Sequence, residues 1–188
     1  SYDFQFEVTG AVTIEAFPNT AGQSFTIKWQ DGSTTQTSGS STINGPAGAG
    51  IISINNEDDN TYADEFKIVS GQANVTKVIS WGQNPWSIVE EAFKDCINLT
   101  DISTTSFIAG TARRSNQPSG CIMGKMFLGC TSLLEVDIRT WDLLTNGASW
   151  RLGGPFANLA NLQKLDATGL KIKLFDANNV STFNFAGI

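Results

Sequence analysis

With 188 residues, 40% hydrophobic and 16% charged, and with twelve Phe and five Trp, the chain has enough apolar surface for one large domain or two small ones, which excludes disorder. Net charge is −6, with nine acids and three bases over residues 1–80 and nine of each over 81–188, so the clustered Lys and Arg of a nucleic-acid binder are absent and the charge serves solubility. No stretch reaches the ~20 apolar residues of a membrane helix, and the chain contains no histidine, which removes Ser-His-Asp and Cys-His catalysis and the commonest metal ligand.

The first segment alternates. Tyr2, Phe4, Phe6 and Val8 share one face, Gly10 breaks the run, and Val12, Ile14 and Ala16 resume it, the period of half-buried strands. Pro18, Asn19 and Gly22 mark a turn before Phe25, Ile27 and Trp29. Asp31-Gly32 then favours a tight hairpin whose return strand runs to Ser38. Short strands follow around Ile43, at Gly50–Asn55 and at Glu65–Ser70. Strands at this spacing predict an antiparallel β-sandwich-like domain over residues 1–74. Between the last two lies Glu57-Asp58-Asp59-Asn60, whose carboxylates are the weak calcium candidate of the chain; the spacing is not that of an EF-hand, and a solvated acidic turn is the simpler reading.

From residue 75 the pattern changes. Three segments align without gaps: Phe93-Lys-Asp-Cys96-Ile-Asn-Leu99-Thr-Asp-Ile102, Phe127-Leu-Gly-Cys130-Thr-Ser-Leu133-Leu-Glu-Val136 and Phe156-Ala-Asn-Leu159-Ala-Asn-Leu162-Gln-Lys-Leu165. Their starts lie 34 and 29 residues apart, and an apolar residue at every third position, four times in each, identifies an internal repeat with these twelve residues as its core. Each unit is expected to be a short helix, a turn and a short strand. Asn84-Pro85 suits a helix start, Trp86, Val89 and Phe93 share a helical face, and Ile122 with Met126 and Met123 with Phe127 are i, i+4 pairs. The expected fold class is therefore α+β, an N-terminal sandwich followed by a repeat stack over 75–188 that the tail from Lys171 onward caps. Cys96 and Cys130 occupy matching core positions, and a Cys121–Cys130 bridge stays open.

Between Ile102 and Cys121 the repeat is interrupted by a stretch without clear period. Arg113-Arg114, flanked by Phe107, Asn116 and Gln117, is the best recognition candidate there, since arginine pairs two-pronged with carboxylates and amides bond hydroxyls. Packing of this loop against a sister subunit or the adjacent domain is the equal alternative. Trp81, Trp86 and Trp141 are expected in the core, whereas Trp150 is the tryptophan expected at the surface and completes the candidate binding set. Asp58-Asp59 and Glu90-Glu91 are neighbours in sequence, not carboxylates facing each other across a cleft, so no enzyme is expected, and no cofactor.

The segment Ala92-Phe-Lys-Asp-Cys-Ile-Asn-Leu-Thr-Asp-Ile-Ser resembles the AF-x-x-C-x-x-L-x-x-I unit of BspA-type leucine-rich-repeat surface proteins, and Met126-Phe-Leu-Gly-Cys-Thr-Ser-Leu-Leu-Glu-Val-Asp-Ile-Arg-Thr-Trp-Asp resembles a second version of it. Lys77-Val-Ile-Ser-Trp-Gly with Pro85-Trp-Ser is similar to the lead-in of such repeats, and Trp29-Gln-Asp-Gly-Ser to the hairpin of a PKD-like β-domain in front of them. Gln30 in place of glycine, Leu159 in place of Cys and the loop after the first repeat depart from the pattern. The resemblance implies adhesion or structural assembly on bacterial or bacteriophage surfaces, with other surface or virion proteins or a host glycan as partner. The opening Ser-Tyr-Asp has no basic start and no apolar run of a signal peptide. A bacteriophage virion component, in capsid decoration or at the tail, is therefore the leading expectation and a secreted bacterial adhesin the alternative. Exposed strand edges and open repeat ends favour a homo-oligomer.

Overall fold

The computed structural model describes residues 3–55, 61–112, 120–151 and 153–175. The N-terminal runs form strands as their pattern requires: β1 (Phe4–Val8), β2 (Thr13–Pro18), β3 (Phe25–Lys28), β4 (Thr34–Thr37), β5 (Ser40–Asn44), β6 (Gly50–Asn55) and β7 (Ala63–Ser70); an eighth strand not predicted from the sequence, β8 (Val75–Trp81), follows in the segment expected to lead into the repeats. One antiparallel sheet has the order β4-β3-β6-β1-β8, and a second the order β5-β2-β7. Phe4 and Phe6 of the first sheet meet Phe66 of the second at ring-centroid distances of 4.9 and 5.5 Å. The inward set of β1 is Phe4, Phe6 and Val8, that of β2 includes Ile14 and Ala16, and all five are buried. The Asp31-Gly32 hairpin forms with Gly32 at φ 85° and Lys28 paired with Thr34.

The expected α+β class is wrong. Among the described residues the one helical element is a three-residue 3-10 turn, Gln72–Asn74, and the rest of the regular structure is strand. The repeats contain no helix because their apolar period is three, not 3.6, and each step closes a turn: the amides of Ala92, Cys96 and Leu99 donate to the carbonyls of Val89, Phe93 and Cys96, as those of Cys130 and Leu133 donate to Phe127 and Cys130. Left-handed residues recur two before and two after the repeat phenylalanine, at Glu91 (φ 56°), Lys125 (φ 52°), Asp95 (φ 62°), Gly129 (φ 81°) and Asn158 (φ 56°), and a left-handed residue cannot continue a right-handed helix. The i, i+4 pairs Ile122/Met126 and Met123/Phe127 are buried on an extended and turned chain, not on a helical face.

Alternate amides before and after the repeat phenylalanine are satisfied by the next repeat. Val89, Glu91, Phe93 and Asp95 donate to the carbonyls of Ile122, Gly124, Met126 and Leu128, and Phe127 to that of Pro155. Turns therefore stack in register, with the strands β9 (Cys121–Ile122), β10 (Glu135–Asp137), β11 (Leu143–Ser149), β12 (Lys164–Asp166) and β13 (Ile172–Leu174) pairing in parallel between rungs. The sandwich supplies the first rung. Phe66 and Ile68 of β7 donate to Ile88 and Ala92, and Val78 of β8 donates to Asp101.

Inside this coil the repeat phenylalanines form a column. Phe93 and Phe127 stack at 5.7 Å with 6° between ring planes, and Phe127 and Phe156 at 5.4 Å with 7°. Cys96, Leu99, Cys130, Leu133, Val136, Leu159 and Leu162 are buried beside them, with Ile102 and Leu165 partly buried, and one hydrophobic cluster runs from Phe4 through Trp81 and Phe93 to Phe156. Among the described residues no helix is long and apolar enough to cross a membrane.

Candidate functional site on the parallel rungs

Ile102, Val136 and Leu165 are the inward residues of three successive rungs, and the residue before each, Asp101, Glu135 and Lys164, is exposed. Glu135 pairs directly with Lys164 across the β10–β12 ladder, and Lys77 on β8 lies 3.7 Å from the Asp101 carboxylate. The residue after each inward one folds back on its own chain. Ser103 Oγ, Asp137 Oδ1 and Asp166 Oδ1 accept the backbone amides of Thr105, Arg139 and Thr168 at 3.0, 3.1 and 3.1 Å. These caps hold the polar side chains in fixed directions.

Arg139 joins two rungs. Its Nε and Nη2 donate to Asp137 Oδ1 and Oδ2 at 3.0 and 2.8 Å, and its Nε lies 3.4 Å from Asp166 Oδ2. The guanidinium hydrogen bond holds the Asp137 carboxyl down at about 2, and the Thr168 hydroxyl and amide, then Arg139, depress Asp166 as well. Asp137 therefore stays ionised far into the acid range, and the same contacts raise Arg139 further above its ordinary value. Asp101, Thr104, Glu135, Arg139, Lys164 and Asp166 line a groove of about 300 Å³ across the three rungs. It offers donors and acceptors of both charge signs at one rung spacing. That suits a polar or mixed-charge ligand; exposed pairs of this kind contribute only ~0–1 kcal/mol each to stability.

A second polar column runs along the edge of the coil. Asn98 Nδ2, Ser132 Oγ and Asn161 Nδ2, each five residues after its repeat phenylalanine, donate to the carbonyls of Ala73, Ile97 and Thr131 on the preceding rung, at 2.8, 2.6 and 2.8 Å. Elsewhere Arg151 Nε meets Glu90 Oε2 at 2.6 Å.

Of the binding candidates chosen from sequence, the two described ones, Phe107 and Trp150, lie in the core. Phe107 is fully buried, and the stretch that contains it continues the coil: it lies fourteen residues after Phe93, as Trp141 and Leu170 lie after Phe127 and Phe156, and its ring packs on Trp81 at 5.3 Å and on Trp141 at 4.8 Å. Its carbonyl accepts the Asp142 amide, and the Ala109 amide donates back to Asp142, so residues 103–110 are a regular rung rather than a loop without period. Trp150, expected at the surface, is 5% exposed and belongs to the same core cluster. Trp81, Trp86 and Trp141 are buried as expected. Arg113, Arg114, Asn116 and Gln117 lie outside the described residues; the Ala112 amide donates to the Gly120 carbonyl where the chain leaves and returns. Glu57, Asp58 and Asp59 also lie outside them, and among the described residues no cluster of three potential ligands is placed to hold a metal.

All three cysteines are buried free thiols, so the Cys121–Cys130 bridge does not form. Burial raises each thiol, Cys130 up to about 12, and Cys130 Sγ donates to the Phe93 carbonyl of the preceding rung at 3.1 Å. Sequence inspection missed Asp137, Arg139, Asp166 and the Asn98/Ser132/Asn161 column. Carrying the three-way alignment past its tenth position would have found the first set, because Ser103, Asp137 and Asp166 stand in register ten residues after each phenylalanine. Comparison of the chain with protein-family models, with curated proteins and with solved structures finds no match.

Proposed function

We propose that the protein is a non-catalytic surface scaffold of a virion, in capsid decoration or at the tail, whose parallel rungs present a rigid polar face to another surface protein or a host glycan. The observation that carries this reading is the groove across three rungs, in which Arg139 spans Asp137 and Asp166 while Asp101, Glu135 and Lys164 stand exposed at one repeat spacing. Its walls are backbone ladders and capped side chains, so binding would cost little ordering entropy. The virion setting is supported by the resemblance of the repeat units to BspA-type surface proteins.

The test is binding of the purified chain to a glycan array and to immobilised particle proteins, beside a variant carrying Glu135→Ala, Arg139→Ala and Lys164→Ala. Retention on one class, lost at least tenfold in the variant and without turnover of the bound glycan, is the expected result. Equal retention of both proteins, or cleavage of the glycan, overturns the reading.

A further inference from the structure

A second groove adjoins the charged one. Ser80, Gly82, Gln83, Thr105, Ser106 and Ile108 line about 270 Å³ between the end of β8 and the following rung. Thr104 lines the charged groove and Thr105 this one, so a single peptide unit divides them. Both form where the ladder opens. Among the described residues no backbone hydrogen bond joins residues 101–103 to β10, although the same two rungs are bonded on either side, Phe93 to Met126 and Asp142 to Phe107. At the second groove the Trp81 amide donates to the Thr105 hydroxyl at 3.1 Å, a side chain where a rung carbonyl would otherwise stand.

The two linings differ in charge. The second holds hydroxyl and amide groups and no ionisable side chain. In the first, Arg139 is engaged by Asp137 and Asp166, and Asp101 lies 3.7 Å from Lys77. That leaves Glu135 and Lys164, one of each sign. Like Gln83 and Ser106 they are exposed, and among the described residues these four side chains make no hydrogen bond or ion pair. Carboxylates outnumber cations four to two in the first lining, which disfavours an acidic ligand. Half-buried Ile102 and Ile108 give each groove an apolar wall. Concave sites of this size receive small ligands, whereas a stable protein partner needs roughly 1,200–2,000 Å² of buried surface.

With the charged groove as the recognition face, on which this rests, we propose that the two grooves together bind one neutral oligosaccharide laid across Thr104 and Thr105. Glu135 accepts from sugar hydroxyls and Lys164 donates to them in the first groove, and Gln83 and Ser106 do both in the second. The C–H faces of the rings pack on Ile102 and Ile108.

The full chain is applied to an array of neutral and acidic oligosaccharides of equal length and to immobilised particle proteins. Beside it run Gln83→Ala/Ser106→Ala and the triple variant Glu135→Ala, Arg139→Ala and Lys164→Ala, with unchanged melting temperatures as the check that both are folded. Retention on a neutral oligosaccharide, weakened about tenfold or more in each variant and changed less than about twofold by salt, is expected. On titration with that oligosaccharide the backbone amide NMR signals of Gln83 and Ser106 should shift together with those of Glu135 and Lys164, a readout that needs no substitution. Shifts confined to Glu135 and Lys164, with full retention by Gln83→Ala/Ser106→Ala, overturn the second groove and leave the first as the recognition face. Preference for acidic oligosaccharides overturns the neutral ligand. Retention on particle proteins alone, lost in the triple variant, overturns the glycan while the polar face stands; no groove-dependent retention on either class overturns both.

Discussion

Replacing Phe127 with alanine removes the middle ring of the column, with Phe93 stacked on one side at 5.7 Å and Phe156 on the other at 5.4 Å. The side chain is fully buried, and cutting a buried phenylalanine to alanine costs ~3–5 kcal/mol through lost transfer energy and the cavity left behind. Phe127 should sit near the upper end of that range. The backbone around it is fixed by bonds to two neighbouring rungs and cannot collapse into the space, and three aromatic contacts, with Phe93, Phe156 and Trp81, worth ~0.5–1.5 kcal/mol each are lost with it. For a chain of this size the melting temperature should fall by roughly 6–20 °C. Urea denaturation followed by circular dichroism measures the loss, with Ile97→Ala as the surface control: Ile97 is 47% exposed, and its truncation should stay within ~0.5 kcal/mol. A double-mutant cycle separates stacking from general core damage. Phe93 and Phe127 should couple by ~0.5–3 kcal/mol, and Phe93 with Phe156, two rungs apart, by less than ~0.5 kcal/mol. A Phe127→Ala loss below ~1 kcal/mol, or equal coupling in the two cycles, would refute the column as the element that holds the rungs together.

Two further outcomes follow from ionisation. Asp137 is held at about 2 in the folded state, chiefly by the Arg139 hydrogen bond, against an ordinary 3.8, so its contribution is present above pH ~4 and is lost as pH falls toward 2. Asp137→Asn should therefore flatten the decline of melting temperature over that interval, and an unchanged acid limb would show that the Arg139 clamp contributes nothing. The three thiols are raised in the fold, so their stabilisation is complete below an ordinary thiol value of ~8.5 and is lost as pH rises through their folded values, for Cys130 toward 12. A thiol reagent at pH 8 should find none of Cys96, Cys121 and Cys130 in the folded chain and all three in denaturant; rapid modification of the native protein would contradict their burial.

The N-terminal strands were legible because one buried face imposes a period of two, and Phe4, Phe6, Ile14 and Ile27 all lie on the side that their alternation assigns. The twelve-residue repeat core was legible for a similar reason. An apolar residue at every third position must share an interior, and ten of the twelve are buried, with Ile102 and Leu165 partly so. What those positions do to the backbone was not legible. A spacing of three is close enough to a helical turn that Trp86, Val89 and Phe93 read as one helical face, and the residues that forbid the helix, Glu91, Lys125 and Asp95, are ordinary side chains forced to positive φ by bonds to the neighbouring rung. Phe107 misled for the same reason: its core role appears once Trp81 and Trp141 are placed against it, and nothing in its local sequence shows that.

Composition and periodicity by themselves determined that the chain folds, where its strands and repeats begin, and which side chains face inward, since these follow from the removal of apolar surface from water. Tertiary structure alone decided that the repeats are stacked turns and not helices, that β7 and β8 are their first rung, and that Arg139 lies between two carboxylates 29 residues apart. The physical reason is that a buried amide must find an acceptor somewhere, and in this coil many of those acceptors belong to a rung about thirty residues away, beyond the range of any local pattern.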